Sequence, residues 1–205
     1  EVCDDGVNDG AYGGCNDDCQ SLAAFCGDGN IDADDGETCD DQNEDLSDGC
    51  LLDCSVPSSC LAIRDASDDV EDGSYLILPE DADGDQPFEV HCDMITDGGG
   101  YTFLKVDPGG QAFAVDAEAE CANLGMQLWI PRTVDHKDSG WAIANDDQIG
   151  PDGNPDYMRI LGIYPNQNGS TCSNQPMNSS NGNCNWSASD DEGWYVHDVN
   201  NISEP

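Results

Sequence analysis

The 205-residue chain carries 44 aspartates and glutamates against five lysines and arginines, a formal net charge of -39. No other feature narrows the choice of fold as far, because any compact arrangement of this chain brings like charges together. Two carboxylates about 4 Å apart repel by about 4 kcal/mol at an effective dielectric near 20, more than a surface hydrogen bond returns. A polyanion also repels nucleic acid and anionic membrane surfaces, so neither is expected as a partner. Leu, Ile, Val and Phe together supply 35 residues, about 17% of the chain. That fraction, at this charge, lies on the disordered side of the usual boundary. Something besides core burial must therefore hold the chain folded.

Two substitutes are present. Twelve cysteines are too many for a reducing compartment and suit a secreted, cross-linked protein. Of the acids, 34 are Asp and 10 are Glu, and the short Asp carboxylate is the one that loops use to chelate hard divalent cations. No run of 18 apolar residues exists, so no transmembrane helix or membrane insertion is expected. Glu1-Val2-Cys3 offers neither a basic segment nor an apolar stretch, which leads to the expectation of a secreted chain whose signal peptide has been removed.

An internal repeat organises the first quarter. Glu1-Val2-Cys3-Asp4-Asp5 recurs as Glu37-Thr38-Cys39-Asp40-Asp41; the first is followed by Gly14-Cys15 and Cys19, the second by Gly49-Cys50 and Cys54. The second copy has a leading Cys26-Gly27-Asp28-Gly29 without counterpart in the first, so the sequence is expected to start part-way into a repeat. Residues 1–54 resemble a cysteine-rich repeat family of secreted bacterial proteins with the pattern CGDG, ECDDGN, GDGC and a final Cys. The resemblance implies a stalk or spacer without enzyme activity. Apolar residues are scarce here: Leu22, Phe25, Ile31, Leu46, Leu51 and Leu52 are nearly all of them. Disulfides and bound ions are expected to replace a core.

Residues 55–59 read as a linker, and 60–205 as a separate head. Alternation between Gly and Pro punctuation marks three short strands, within Asp72–Pro79, Pro87–Met94 and Thr96–Thr102. The order of phrases over residues 60–106, Tyr75-Leu76-Ile77-Leu78-Pro79, Pro87-Phe88-Glu89-Val90-His91-Cys92-Asp93-Met94 and Thr96-Asp97-Gly98-Gly99-Gly100-Tyr101-Thr102, resembles the opening subdomain of the fibrinogen-like fold. That resemblance implies a Cys60–Cys92 disulfide. Beyond Val106 it stops, and that family's calcium and ligand pocket has no counterpart.

Residues 115–128 predict the one main helix, capped by Asp116 and ended by Gly125, with Ala117, Cys121 and Leu124 on one face. The wording Ala117-Glu118-Ala119-Glu120-Cys121-Ala122-Asn123-Leu124-Gly125 resembles the first helix of C-type lectin-like domains. Met158–Ile163 stands where that family has a strand, and Asn185-Trp186 with Trp194 where it has a tryptophan region. The fold class expected is thus α+β: small, disulfide-rich, loop-dominated repeats, then a mixed fibrinogen-like and C-type-lectin-like domain with short antiparallel strands.

Three clusters place oxygen side chains at alternating positions, as a loop that wraps one calcium ion requires. They are Asp28, Asn30, Asp32, Asp34 with Glu37; Asp81, Asp83, Asp85; and Asp152, Asn154, Asp156. Ala33 at the sixth position and the missing Glu at the twelfth argue against an EF-hand and for a loop of the thrombospondin or cysteine-repeat kind. Asp, Asn and Gly also form polar turns unaided, the competing reading for each cluster. Zinc is disfavoured, because His91, His136 and His197 are scattered.

Seven cysteines lie within residues 1–54. If Cys60 and Cys92 are bonded, Cys121, Cys172 and Cys184 remain, and odd numbers on both sides leave a bridge between segments or out of the molecule. Cys172–Cys184 is expected as a local clasp and Cys121 as the partner of a repeat cysteine, a long-loop bridge worth roughly 3 to 5 kcal/mol. Four glycosylation sequons, at Asn168, Asn178, Asn185 and Asn201, crowd the last forty residues. No nucleophile elbow, zincin or phosphate-loop motif occurs, and Asp135, His136 and Ser139 make no credible triad. The expectation is a non-enzymatic, secreted, calcium-binding adhesion or recognition protein. Its partner would be a carbohydrate or surface protein, stacked on Trp129, Trp141, Trp186 or Trp194. The alternatives are a fibre or tube subunit binding copies of itself and, with no positive feature, a secreted hydrolase.

Overall fold

A computed structural model describes residues 2–104, 114–131, 133–146 and 148–149, and the strands at 163–165 and 186–188, with backbone alone at 114–116 and in those two strands. The chain divides into two units, residues 1–80 with 85–104, and residues 81–84 with those after 104.

In the first unit, Ser59 caps helix α1 (Cys60–Ala66), its hydroxyl accepting from the Ala62 N–H at 3.2 Å. A three-stranded antiparallel meander follows: β1 (Gly73–Ile77), β2 (Phe88–Asp93) and β3 (Tyr101–Phe103). Gly73 faces Cys92 and Ile77 faces Phe88, while Cys92 faces Thr102. β1 and β2 fall within the segments that alternation marked, and β3 overlaps the third and runs one residue past it, to Phe103. Between β2 and β3 the chain turns through Gly98, Gly99 and Gly100, all at positive φ. A Cβ on Gly99 would overlap the Met94 carbonyl, and one on Gly100 would press on Leu61, so only glycine fits.

The core is small: Cys60, Ile63, Ile77, Val90, Cys92 and Met94 are buried, with Leu46, Leu51, Val70, Tyr75, Phe88 and Leu104 packed against it. The Cys60–Cys92 disulfide, Cα atoms 5.5 Å apart, ties α1 to β2 through the middle of that cluster. Leu46 and Leu51 come from the second cysteine-rich copy. The expected linker is therefore part of the fold: Pro57 is fully buried, its carbonyl accepts from Leu78 N–H at 2.8 Å, and Ser47 accepts from Leu76 N–H. The second copy and the sheet share one core, and the division expected at residues 54–60 falls instead near residue 104.

The second unit contains helix α2 (Ala114–Asn123) and helix α3 (Val134–Asn145). Asp116 lies inside α2 rather than capping it, whereas Gly125 sits at φ 67 just past its end, as a C-terminal glycine should. Helix α3 was not expected. Thr133 caps it, accepting from His136 N–H at 3.0 Å, and Gly140 packs against the Trp129 ring so closely that a Cβ would collide with it. Two strands, β4 (Ile163–Pro165) and β5 (Trp186–Ala188), pair antiparallel. The fold class is mixed α+β, as expected, with three α-helices among the described residues where one main helix was expected.

Candidate functional site

The cysteine-rich segment is built from aspartate turns. Of its fourteen aspartates within residues 2–54, nine accept the backbone N–H two residues ahead: Asp4, Asp5, Asp9, Asp18, Asp28, Asp40, Asp41, Asp45 and Asp53. The side chain here replaces a missing ladder or helix partner for the backbone. Asp5 goes furthest, accepting from Asn8, Val7 and Cys15 N–H groups, which hold its carboxyl below the usual range. Much of the Asp enrichment is thereby explained without a cation.

One cluster is different. Asp32 ends the stretch before a short 3-10 turn (Ala33–Asp35), and its Oδ2 is buried with no hydrogen-bond partner. Loss of solvation, then the charges of Asp28, Glu37, Asp35 and Asp40, raise its carboxyl above the usual range. Glu37 is 4% exposed. Its Oε1 accepts from the Tyr12 hydroxyl and its Oε2 from Asp32 N–H at 2.7 Å. The Tyr12 phenol is pushed up to about 12, chiefly by that bond to Glu37. Asp40 loses some solvation, yet N–H groups of Gly29, Gly27 and Gln42 hold its carboxyl low.

Among the described residues no three carboxylates bring their oxygens within 4.8 Å of one another; the group of ligating side chains that close is Cys26, Glu37 and Cys54. Of the charges acting on Asp32, those of Asp28 and Glu37 belong to the expected set. Asp35 and Asp40 also act on Asp32 and lie outside that set. Asn30 donates its amide to Asp28 Oδ1 at 2.9 Å, and Asp34 is exposed and absent from the charges acting on Asp32. Asp40 is eight residues from Asp32 and belongs to no alternating pattern; its Oδ2 accepts from the Gly27 and Gly29 N–H groups. The Cys26 and Cys54 sulfurs lie within 4.8 Å of a Glu37 oxygen, but both are consumed in the Cys26–Cys54 disulfide. The one donor left in that group is the Glu37 carboxylate, whose oxygen suits a hard cation such as calcium or magnesium and not zinc. The orphaned buried Asp32 oxygen is one candidate ligand, and the described residues gather no set of carboxylate oxygens around it.

The second expected loop does not gather. Asp81, Asp83 and Asp85 are exposed, and Asp81 and Asp83 fall in a different unit from Asp85. The local order is a bridge between Ala82 and Leu124, with Asp83 N–H donating to the Asn123 carbonyl. Asp152, Asn154, Asp156, the four sequon asparagines and Trp194 lie outside the described residues, as do Cys172 and Cys184. Trp129 is half-buried against Gly140 and His136, while Trp141 is 53% exposed.

The cysteines of the repeat pair as Cys3–Cys15, Cys26–Cys54 and Cys39–Cys50. Cys19 is the odd one, and Cys121 likewise carries a free thiol, so the bridge expected to reach Cys121 is not formed. Parity fixes that one repeat cysteine is left over, not that it is bonded. Burial, then Glu118 and Glu120, push the Cys121 thiol up, which disfavours the thiolate that bridging needs. No helix among the described residues is long and apolar enough to cross a membrane. No protein-family profile, curated protein or solved structure matches this chain.

Proposed function

We infer that this chain is a non-enzymatic, extracellular, calcium-stabilised recognition protein. The observation that carries the reading is the buried, partnerless Asp32 Oδ2, whose charge burial and the charges of Asp28, Glu37, Asp35 and Asp40 oppose. A site that leaves a charged oxygen desolvated among like charges is stable when a cation supplies what five basic residues in the whole chain cannot. Several carboxylates on short loops adapt to the irregular shell of calcium more readily than to the strict octahedron of magnesium. Four disulfides support an oxidising, extracellular setting. In the second unit the exposed face of Trp141 offers a stacking surface for a carbohydrate or a partner protein.

Calcium titration of the whole chain by calorimetry, paired with thermal melting, tests this. Saturation at calcium about 100-fold above the dissociation constant is expected to stabilise the chain by about 2.7 kcal/mol. Asp32→Asn is expected to abolish the heat of binding. Identical melting curves in calcium and in excess chelator would overturn the reading.

A further inference from the structure

Nine aspartates stand directly before a glycine: Asp5, Asp9, Asp28, Asp35, Asp48, Asp72, Asp83, Asp97 and Asp152. Such a pair carries a reaction of its own. The glycine nitrogen attacks the aspartate side-chain carboxyl carbon, and the missing Cβ on the attacking residue leaves that approach open. The attack needs a nitrogen free to lose its proton and a carboxyl free to turn toward it, so a hydrogen bond to either group holds it back.

In seven of the eight described pairs one or both groups are held. Gly6 N–H donates to Asp4 Oδ1, and Asp5 accepts from Val7, Asn8 and Cys15. Gly10 N–H is bonded to the Cys15 carbonyl, Gly29 N–H to Asp40 Oδ2 and Gly36 N–H to the Ala33 carbonyl. Asp48 accepts from the Asn43 amide at 3.0 Å. Asp72 Oδ1 accepts from Met94 N–H at 2.6 Å, and Gly73 belongs to the β1–β2 ladder. Asp97 is engaged and fixed in a left-handed turn at φ 49 and ψ 32. The exception is Asp83–Gly84. Both residues are exposed. The Asp83 carboxylate and the Gly84 N–H make no hydrogen bond among the described residues, and a Cβ on Gly84 would meet nothing within 4 Å. Asp83 is held only from behind: its N–H donates to the Asn123 carbonyl at 2.8 Å, and Ala82 bridges to Leu124. The backbone is anchored up to Asp83 and open immediately after it.

We propose that Asp83–Gly84 is a self-modification site, where the chain converts through a cyclic succinimide into a β-linked isoaspartate. The Gly84 nitrogen bonds to Asp83 Cγ, and one carboxyl oxygen departs as water, taking the proton of that nitrogen and the proton of the acid. Water then adds to the main-chain carbonyl carbon of Asp83, and the original peptide bond breaks. The side-chain amide becomes the main chain, lengthened by one methylene, and the former main-chain carbonyl becomes a free carboxylate. The water lost is returned, so the conversion needs no cofactor and leaves the mass unchanged. Elsewhere the bonds that shape the turns also withhold the same pair of groups from this reaction.

The test incubates the whole oxidised chain in heavy-oxygen water at neutral pH. Each passage through the succinimide leaves one heavy oxygen in the residue that reopens, and peptide mapping by mass reads it site by site, keeping Asp152, Asn168 and Asn181 separate. Label at Asp83 is expected to accumulate about tenfold faster than at any other described Asp-Gly pair, the factor that one net hydrogen bond at the upper end of its usual range supplies. A carboxyl methyltransferase specific for isoaspartate, used as a reagent with a labelled methyl donor, should tag the same peptide. In the reduced chain in denaturant the rates should draw together, because folded hydrogen bonds set the ranking. Gly84→Ala, whose Cβ meets nothing, should slow labelling at Asp83 several-fold and leave the other sites unchanged. Another described pair labelling as fast as Asp83, the same ranking in denaturant, no methyl tag on the Asp83 peptide, or undiminished labelling in Gly84→Ala would each overturn the proposal.

Discussion

Asp32 and Asp5 carry the same side chain and are pulled in opposite directions. Asp5 titrates below its ordinary range because three N–H groups favour its charge; Asp32 titrates above it because burial and four carboxylates oppose its charge. The signs follow by linkage. Asp5, Asp40 and Asp45, all depressed, stabilise the fold above the unfolded carboxylate value near 4 and stop doing so as pH falls through their folded values. Asp32, raised, opposes folding at neutral pH and ceases to as it protonates. In chelator, stability is therefore expected to rise on mild acidification and then fall; a denaturant midpoint measured from pH 7 to pH 2 should show a maximum. Asp32→Asn should remove the rising limb and keep the fall. Tyr12 works at the other end. Its phenol, at about 12, is raised, so its bond to Glu37 stabilises fully below the unfolded value near 10 and is lost as pH climbs toward 12. Tyr12→Phe should flatten alkaline unfolding in that window.

Elements were legible where local rules suffice. The strands β1, β2 and β3 were readable because apolar and polar residues alternate between glycines and prolines. Helix α1 was not, since seven residues are too few to show a period and Leu61 faces solvent. Helix α3 hid for a different reason: among its described residues Gly140 and Ile143 are buried while Val134 and Trp141 are exposed, so its face is a glycine notch for Trp129 and not a stripe. The charges that act on Asp32 were partly legible, because alternating spacing finds Asp28, whereas Asp40, whose Oδ2 accepts from the Gly27 and Gly29 N–H groups, belongs to no such pattern. Ile63→Ala, at a fully buried position of α1, should cost about 2–5 kcal/mol in urea unfolding. Gly99→Ala meets both a positive φ and the Met94 carbonyl and should destabilise by more than about 1 kcal/mol. The same substitution at exposed Gly84, where a Cβ meets nothing, should be nearly neutral.

At the scale of the molecule, the net charge of -39 is spread over a fold with a six-residue buried cluster in its first unit. Simple salt should therefore help: raising sodium chloride from about 0.01 to 0.5 M shortens the screening length from about 30 to below 8 Å and is expected to raise the melting temperature even with calcium absent. A flat response would mean that the carboxylates are already neutralised by their turns and bound ions. Those turns have one more consequence. An acceptor two residues from its donor requires no distant partner, so the segments around Asp40, Asp41, Asp45 and Asp53 can kink while the polypeptide is still reduced. Oxidation then begins from a chain whose sulfurs are already steered toward their mates, and correct pairing is guided by carboxylates instead of by a collapsed oily nucleus.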